Sequence, residues 1–390
     1  MSARKPIRLG VVGLGAAGRA FLPAIAKHPA FELVGFADTV ADIRGEITSE
    51  TGSEGYATLS ELLSGAELDA VYVATPTELH PEHVSAAIAA GRHVLTEKPM
   101  ALGVEQALAM VKAADEAGVA LVVGHAHGFD RPIQAMREII SSGRLGRVRM
   151  VQTWNYTDWM YRPRRPDELD VGLGGGVTFR QGSHQVDIVR LLGGGMVRSV
   201  RASTFDWDPD RASIGAHTIF LQFADGATAT AVYNGYGYFS AMELCGDVTE
   251  WGFVEPIEKR QKVNRPSSGQ SSADELAAKR SRAKSAIPAS APFQPTFGVT
   301  IVSCERGDIR QSPRGLYVYD ANGREEIVLP NDKSPREMVL DELLDAITGA
   351  RPAVHDGRWG LANLEVCVAA IESARLGREI ELVHQVAAPQ

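Results

Sequence analysis

The chain has 390 residues, 44% hydrophobic and 23% charged, with a formal net charge of −8. This length exceeds one ordinary core and predicts two domains. The composition is that of a soluble globular protein, and nothing in the acidic balance suggests a nucleic-acid binder, which needs a basic face. Cys245, Cys304 and Cys367 are far apart and form neither a disulfide framework nor a zinc pattern, which points to a reducing cytoplasm. The N-terminus leaves no room for a signal peptide, and no apolar run is long enough to cross a bilayer.

The first predicted strand covers residues 7–12. Gly13-Leu14-Gly15-Ala16-Ala17-Gly18 follows, then a helix through residue 25, a second strand over 31–37 and Asp38. Each glycine serves a separate purpose. Gly13 allows the tight turn, Gly15 lets a pyrophosphate approach the backbone, and Gly18 lets the helix pack closely on the strand. The free N–H groups at the helix start, those of Ala16 and Ala17 among them, suit an anion. Asp38, 20 residues past Gly18, stands where an acid bonds the adenosine ribose. Alternation continues: a helix to residue 52, a strand at 56–57, a helix at 59–63 and a buried parallel strand over 70–74. Thr75-Pro76 leaves the carboxyl end of that strand, with His80 just beyond. A helix over 81–90, a strand over 93–96, a helix over 104–117 and a strand over 120–123 complete the first domain, residues 1–124. Glu97-Lys98-Pro99 leaves the carboxyl end of the 93–96 strand, where ligands of such sheets bind.

The second domain, residues 125–390, opens with a helix over 130–142 and a strand over 147–156. An arginine-rich loop over 158–167 contains Arg162, Arg164 and Arg165. Gly174-Gly175-Gly176 introduces one helix over 177–192. Strand-like runs at 197–205, 216–223, 227–233, 241–245, 299–305, 316–319 and 325–329 predict a large, partly open, antiparallel sheet. Helices over 335–348 and 361–376 precede a last strand over 379–383. Residues 256–296, rich in Ser, Ala, Lys and Pro, bury too little apolar surface to offset ordering. They read as a mobile insertion or as an arm that orders on a neighbouring subunit.

The glycine run, Thr75-Pro76 with His80, and Glu97-Lys98-Pro99 together resemble the Gfo/Idh/MocA oxidoreductase family. The resemblance implies an α/β chain. An N-terminal Rossmann domain with a doubly wound parallel sheet binds NAD, and a C-terminal α/β domain carries a large, open-faced, mostly antiparallel sheet for substrate and oligomerisation. It implies that Gly13, Gly15, Ala16, Ala17, Gly18, Asp38, Thr75, Pro76, His80, Glu97 and Lys98 hold the cofactor. It also makes Lys98 bond the reacting oxygen and the nicotinamide ribose. Gly182-Ser183-His184-Gln185-Val186-Asp187 matches the family's G-x-H-x-x-D run, whose histidine is the general base, with an ordinary pKa suited to proton removal at neutral pH. Asp187 orients His184 or supports the helix.

Two departures bear on substrate. The family's sugar and inositol dehydrogenases carry an aspartate four residues before this histidine, and here Arg180 stands there. An arginine fork pairs with carboxylates, and Arg180 is the arginine given that role; Arg162, Arg164 and Arg165, each read singly as solvated, add positive charge from the loop, and the alternative is internal pairing of Arg180 with an acid such as Asp187 or Asp170. His125 and His127 occupy a segment where the family has Asn and Arg, and read as polar groups of the substrate pocket, not metal ligands. The stretch 179–187 and Val302-Ser303-Cys304-Glu305-Arg306-Gly307-Asp308 are similar to the 4,5-dihydroxy-4,5-dihydrophthalate dehydrogenase branch. The expected function is therefore NAD-dependent oxidation of a phthalate cis-dihydrodiol to the dihydroxyphthalate, with Arg180, His127, Arg162 and His184 around the substrate. The alternatives are a sugar, inositol or glycoside dehydrogenase and a non-catalytic NAD-binding sensor. NAD is expected over NADP, because Asp38 repels a 2′-phosphate and Arg44 faces solvent on its helix. A small carboxylated substrate and a homodimer or homotetramer built on the open sheet are the expected partners, with no metal, nucleic acid or membrane.

Overall fold

The computed structural model describes residues 5–256, 258, 272–285 and 291–389. The chain forms two compact units. The first takes the chain through His125 together with Arg336–Leu361 and the end of a helix that begins at Ser272; the second takes Ala126–Lys279, the strands before Pro335 and the chain from Ala362 onward.

The first unit alternates strand and helix. In order it has β1 (Ile7–Val12), α1 (Ala16–Lys27), β2 (Phe31–Ala37), α2 (Ala41–Thr51), β3 (Glu54–Tyr56), α3 (Leu59–Gly65), β4 (Ala70–Val73), α4 (His80–Ala89), β5 (His93–Thr96), α5 (Val104–Ala117) and β6 (Leu121–Val123). All strands run parallel in the order β3-β2-β1-β4-β5-β6. The continuous apolar run Ala70–Val73 is wholly buried, as a strand covered on both faces must be. The order reverses direction between β1 and β4, the switch point at which such sheets bind dinucleotides.

Residues 336–361 belong with this sheet for a physical reason. As the terminal strand, β6 exposes backbone donors that need cover. Val123 N donates to the His355 carbonyl at 2.8 Å, and Val122 bridges Asp356. Glu342 holds this cover in place, accepting from His355 N at 2.9 Å and facing His355 Nδ1 at 2.9 Å.

The second unit is built on α6 (Arg131–Ser141), β7 (Val148–Tyr156), α7 (Pro166–Leu169), α8 (Val177–Arg180), α9 (Gly182–Leu192), β8 (Val197–Phe205), β9 (Ala216–Phe223) and β10 (Thr228–Asn234). There follow α10 (Ser272–Ser285), β11 (Val299–Cys304), β12 (Gly307–Ser312), β13 (Gly315–Asp320), β14 (Gly323–Val328), α11 (Pro335–Thr348), α12 (Gly357–Leu376) and β15 (Ile380–Glu381); α11 lies almost wholly in the first unit. Nine strands form one sheet, ordered β14-β13-β12-β11-β7-β10-β9-β8-β15. Every neighbouring pair is antiparallel except β7 with β10. Burial alternates along β10, with Ala229, Ala231 and Tyr233 turned inward, the period-2 pattern of a sheet with one covered face.

Four details differ from the sequence reading. Residues 241–245 are a short 3-10 helix, not a strand: Ser240 caps the Met242 amide, and Gly246 at φ 70° turns the chain out. The helix expected over 177–192 is two helices, broken at Gln181, where φ is −116°. The His217 ring fills the break, since a Cβ at Gly182 would lie 2.9 Å from its Cε1. The polar segment Gly307–Ser312 is a strand whose Ile309 and Gln311 face inward. The expectation of a mobile insertion over 256–296 falls largely outside the described residues, but Ser272–Ser285 within it is helical.

Candidate active site

At the carboxyl end of β1 the glycine turn has the geometry of a nucleotide cradle. Gly13 has φ 87°, and a Cβ there would lie 2.7 Å from the Ala74 carbonyl oxygen. At Gly18 a Cβ would lie 2.0 Å from the Gly13 oxygen, so neither position tolerates a side chain without movement. Gly15 opens the other way, with nothing within 4 Å of a built Cβ. No side chain caps α1, and its first turn has no acid. The amides that include those of Ala16 and Ala17 are thus left for an anion. Asp38 is fixed by two amides, Leu14 N at 2.8 Å and Val40 N at 2.9 Å. These features fit NAD: a bare helix start for the pyrophosphate and an anchored acid for the ribose. One expectation is corrected. Arg44 does not simply face solvent; its Nη1 donates to the Asp38 carbonyl at 2.7 Å, because the first turn of α2 brings it back over the end of β2.

The loops after β4 and β5 are tied together by one side chain. The buried His80 ring places Nδ1 3.0 Å from the Pro99 carbonyl and Nε2 2.9 Å from the Thr75 carbonyl. It links the Thr75-Pro76 segment to Glu97-Lys98-Pro99 and turns both nitrogens to backbone. Glu97 accepts from Tyr72 Oη at 2.7 Å and from Lys98 N at 3.3 Å. Burial, and then the Glu97 charge, push the Tyr72 phenol well above its ordinary value, so it stays a donor. Lys98 is half-buried where the chain leaves β5. A cleft of about 390 Å³ lined by Val119, Ala120, Arg351 and Asp356 lies at the opposite, amino-terminal end of β6, away from these loops.

In the second unit α9 is buried along its whole length, so each polar side chain on it needs a partner. Gln185 Nε2 donates to the Val232 carbonyl at 3.0 Å, and its Oε1 lies 3.0 Å from His217 Nε2. Burial drives His217 down to about 3, keeping it neutral. Asp187 accepts from Asn363 at 3.0 Å, and Arg190 donates to Asn363, Gly195, Gln385 and Val386. These bonds lock the helix that carries His184.

The His184 ring meets His127 edge-on, with centroids 4.6 Å apart and planes at 83°. Phe297 closes against both, at 5.0 Å from His184 and 4.4 Å from His127. His127 sits between two carboxylates, Nδ1 3.0 Å from Asp130 and Nε2 3.3 Å from Glu250. Burial lowers its pKa, but Asp130 and Glu250 raise it more, to about 9. His127 is thus a cation at neutral pH. In the first unit the His125 ring lies 6.0 Å from that of His355. Among the described residues no group of three or more His, Cys, Asp or Glu side chains is placed to hold a metal.

Arg162 belongs to the same cluster. Its Nε donates to Asp158 at 2.6 Å, while Glu250 and Tyr233 act on its charge. Tyr233 lies 6.4 Å from Phe297 and bonds Thr157 at 2.9 Å. Both Nη groups of Arg162 are unengaged among the described residues. The other arginines are committed. Arg165 forks onto Asp167 at 2.9 and 2.7 Å, and Arg164 lies 3.9 Å over the Trp159 ring. Arg180 donates to Asp167 at 3.3 Å, an acid other than the Asp187 and Asp170 named from sequence. Because α8 ends at Arg180, that residue and His184 do not share one continuous helix. Asp158, Glu250, Tyr233 and Phe297 were not found by sequence reasoning. They come from four separate segments and have no motif spacing.

Residues 7–125 match the model of an oxidoreductase family with an NAD-binding Rossmann fold, and residues 133–247 match the GFO/IDH/MocA C-terminal domain. The chain is 37% identical to the 1-carboxy-3-chloro-3,4-dihydroxycyclohexa-1,5-diene dehydrogenase of Comamonas testosteroni, over 95% of each chain. A solved structure from Bordetella bronchiseptica RB50 is 38% identical, with a TM-score of 0.89, covering 97% of this chain and 100% of that one. The WlbA dehydrogenase of Bordetella pertussis, solved with NADH and UDP-GlcNAcA, is 27% identical with a TM-score of 0.71, covering 97% and 99%. Nothing in these matches favours a non-catalytic sensor. With its glycine cradle, its parallel six-stranded sheet and its nine-stranded second sheet, the chain belongs to the Gfo/Idh/MocA family of NAD-dependent oxidoreductases.

Proposed function

We propose that this enzyme oxidises a carbinol of a carboxylated cyclohexadiene cis-diol, with a phthalate cis-dihydrodiol as the specific substrate and the dihydroxyphthalate as product. NAD, when bound, takes the carbinol hydrogen as hydride. In this reading His184 accepts the hydroxyl proton and Lys98 favours the alkoxide. The ketone so formed becomes a catechol when the second carbinol carbon gives up its proton and the ketone oxygen gains one. The observation that carries the carboxylate is Arg162, a cation in the His184 cluster with both Nη groups uncommitted among the described residues and a fork suited to a carboxylate. The name of the Comamonas relative describes a ring with one carboxyl and two adjacent hydroxyls, which supports the same class. Neutral sugars, inositols and uncharged glycosides offer Arg162 no anion.

The test is Arg162→Gln, assayed with 3,4-dihydroxycyclohexa-1,5-diene-1-carboxylate and with cyclohexa-3,5-diene-1,2-diol, which lacks the carboxylate. A charged hydrogen bond contributes roughly 1.5–3 kcal/mol. KM for the acid should therefore rise by about ten- to a hundredfold, with KM for the neutral diol nearly unchanged. Equal losses on both would remove the carboxylate from the reading.

Three further points belong to this proposal. Asp38 favours NAD over NADP by repelling a 2′-phosphate. The outer face of the large sheet carries Met150, Trp154 and Phe220, exposed by 45, 37 and 42%. Such a patch supports a homodimer or homotetramer formed through this face. Cys245, Cys304 and Cys367 are not joined in disulfides, which supports the cytoplasm as the site of action; no helix among the described residues is long and apolar enough to cross a membrane.

A further inference from the structure

The helix α10, which has no counterpart in the motifs read from sequence, makes charged contacts with the loop that carries Arg162. Glu275 Oε2 accepts from the Arg164 amide at 2.8 Å. The same carboxylate receives both Nη groups of the buried Arg211, at 2.7 and 3.2 Å. Arg211 Nη2 in turn donates to the Arg162 carbonyl at 3.0 Å. Glu275 thus grips the Arg162-Pro163-Arg164 turn from both sides, directly at Arg164 and through Arg211 at Arg162. One turn further along the helix, Lys279 pairs with Glu168, whose Oε2 also accepts from the Arg165 amide at 2.8 Å. The two contacts lie on one face of the helix, as spacing i and i+4 requires. All four side chains, Arg211, Glu275, Lys279 and Glu168, are largely withdrawn from solvent. Arg211 and Glu275 are therefore a shielded pair whose geometry is set by four hydrogen bonds, two between them and one each to Arg164 and Arg162, unlike a surface ion pair of little worth.

We propose that Glu275 is a positioning residue for recognition of the substrate's anion: through the Arg164 amide and Arg211 it fixes the Arg162 backbone, and so sets where the Arg162 guanidinium meets a carboxylate. This inference rests on the reading of Arg162 given above. Arg162 itself is steered by Asp158 at its Nε, and Asp158 lies on the same loop, so that contact does not fix the loop in the fold. Arg211 and Glu275 anchor residues 162 and 164 from outside the loop. A displacement of about 1 Å in a recognition group is enough to cost a large factor in binding or rate. Loss of Glu275 is therefore read as lost substrate affinity, with the chemistry at His184 and Lys98 intact.

The experiment uses the full-length enzyme with saturating NAD and the two substrates named above, the carboxylated dihydrodiol and the neutral diol. Glu275→Gln should raise KM for the carboxylated substrate about tenfold, leave KM for the neutral diol within about twofold, and leave kcat on both nearly unchanged. Arg211→Lys keeps the charge but loses the bridge to the Arg162 carbonyl, and should give the same selective rise. The doubly substituted enzyme should be no worse than the poorer single variant, since both changes break one connection. A kcat loss shared by both substrates, or an unchanged KM for the acid in well-folded Glu275→Gln and Arg211→Lys, overturns the proposal. If Arg162→Gln abolishes the preference for the acid and these two variants keep it, Glu275 is excluded while Arg162 stands. If Arg162→Gln also keeps the preference, the carboxylate reading itself falls, and this inference with it.

Discussion

Raising the pH should remove a defined amount of stability from the second unit through one group, His127. Its ring is held between Asp130 and Glu250 and titrates at about 9 in the fold, against an ordinary value of about 6.5. The folded value is the higher one, so the folded protein binds the proton more tightly than the unfolded chain. The stabilisation is fully present below about pH 6.5 and is lost as pH rises to about 9. The gap of roughly 2.5 pH units, at about 1.36 kcal/mol for each, is on the order of 3 kcal/mol. Burial of the ring makes solvent screening a small correction here. The assay is urea unfolding followed by tryptophan fluorescence, since Trp154, Trp159, Trp207 and Trp251 all lie in the second unit. The wild-type protein should lose on the order of 3 kcal/mol between pH 6.5 and 9.5 relative to His127→Gln, which lacks the titrating group. Parallel stability curves for the two proteins across that window would refute the assignment of the cation to His127.

The remaining predictions concern catalysis, cofactor choice and assembly. Lys98→Ala should lose on the order of a hundredfold or more in kcat, the usual cost of removing a transition-state electrostatic group. His184→Ala should lose a comparable factor and flatten the acid limb of the pH–rate profile; a near-normal kcat in either folded variant removes that residue from the mechanism. Asp38→Ser should narrow the preference for NAD over NADP, and Arg44→Ala, which loses the cation at the Asp38 carbonyl, should weaken whatever NADP activity then appears. Equal kcat/KM for both cofactors in the wild-type enzyme would contradict the role of Asp38. Trp154→Lys, placed on the outer face of the large sheet, should lower the mass seen by light scattering at micromolar concentration. A wild-type monomer under those conditions rules out assembly through this face.

How legible the molecule was in its sequence depended on whether the signal was local. The run Ala70–Val73 announces a buried strand by composition alone, and Gly13 and Gly18 announce a turn that admits no side chain. Such features need only neighbours a few residues away, so the parallel sheet and its nucleotide cradle could be read in order. The second unit was legible where strands alternate, as in β10, and less so elsewhere. Gly307–Ser312 has too few apolar residues to signal a strand, and takes its place because Ile309 and Gln311 turn inward between β11 and β13. The break before His184 depends on a ring from β9, His217, which no reading of residues 177–192 contains. Charge partners were the least legible of all. Arg180 pairs with Asp167, Arg211 with Glu275 and His127 with Glu250, over separations of 13, 64 and 123 residues. A buried cation must find an acid, but which acid it finds is decided by tertiary structure. Of the arginines singled out from sequence, Arg180 drew attention by its position in a motif, while Arg162 keeps uncommitted donors among the described residues in the cluster around His184.

The central claim is that this NAD-dependent oxidoreductase acts on a carboxylated cyclic cis-dihydrodiol. The most direct measurement is the formation of NADH by the purified enzyme with NAD and the cis-dihydrodiol of phthalate, set beside cyclohexa-3,5-diene-1,2-diol and myo-inositol under identical conditions. The account predicts turnover of the phthalate dihydrodiol with a kcat/KM at least about tenfold above the neutral diol, as one charged contact implies, and negligible turnover of myo-inositol. Turnover of myo-inositol with none of the phthalate dihydrodiol would contradict it.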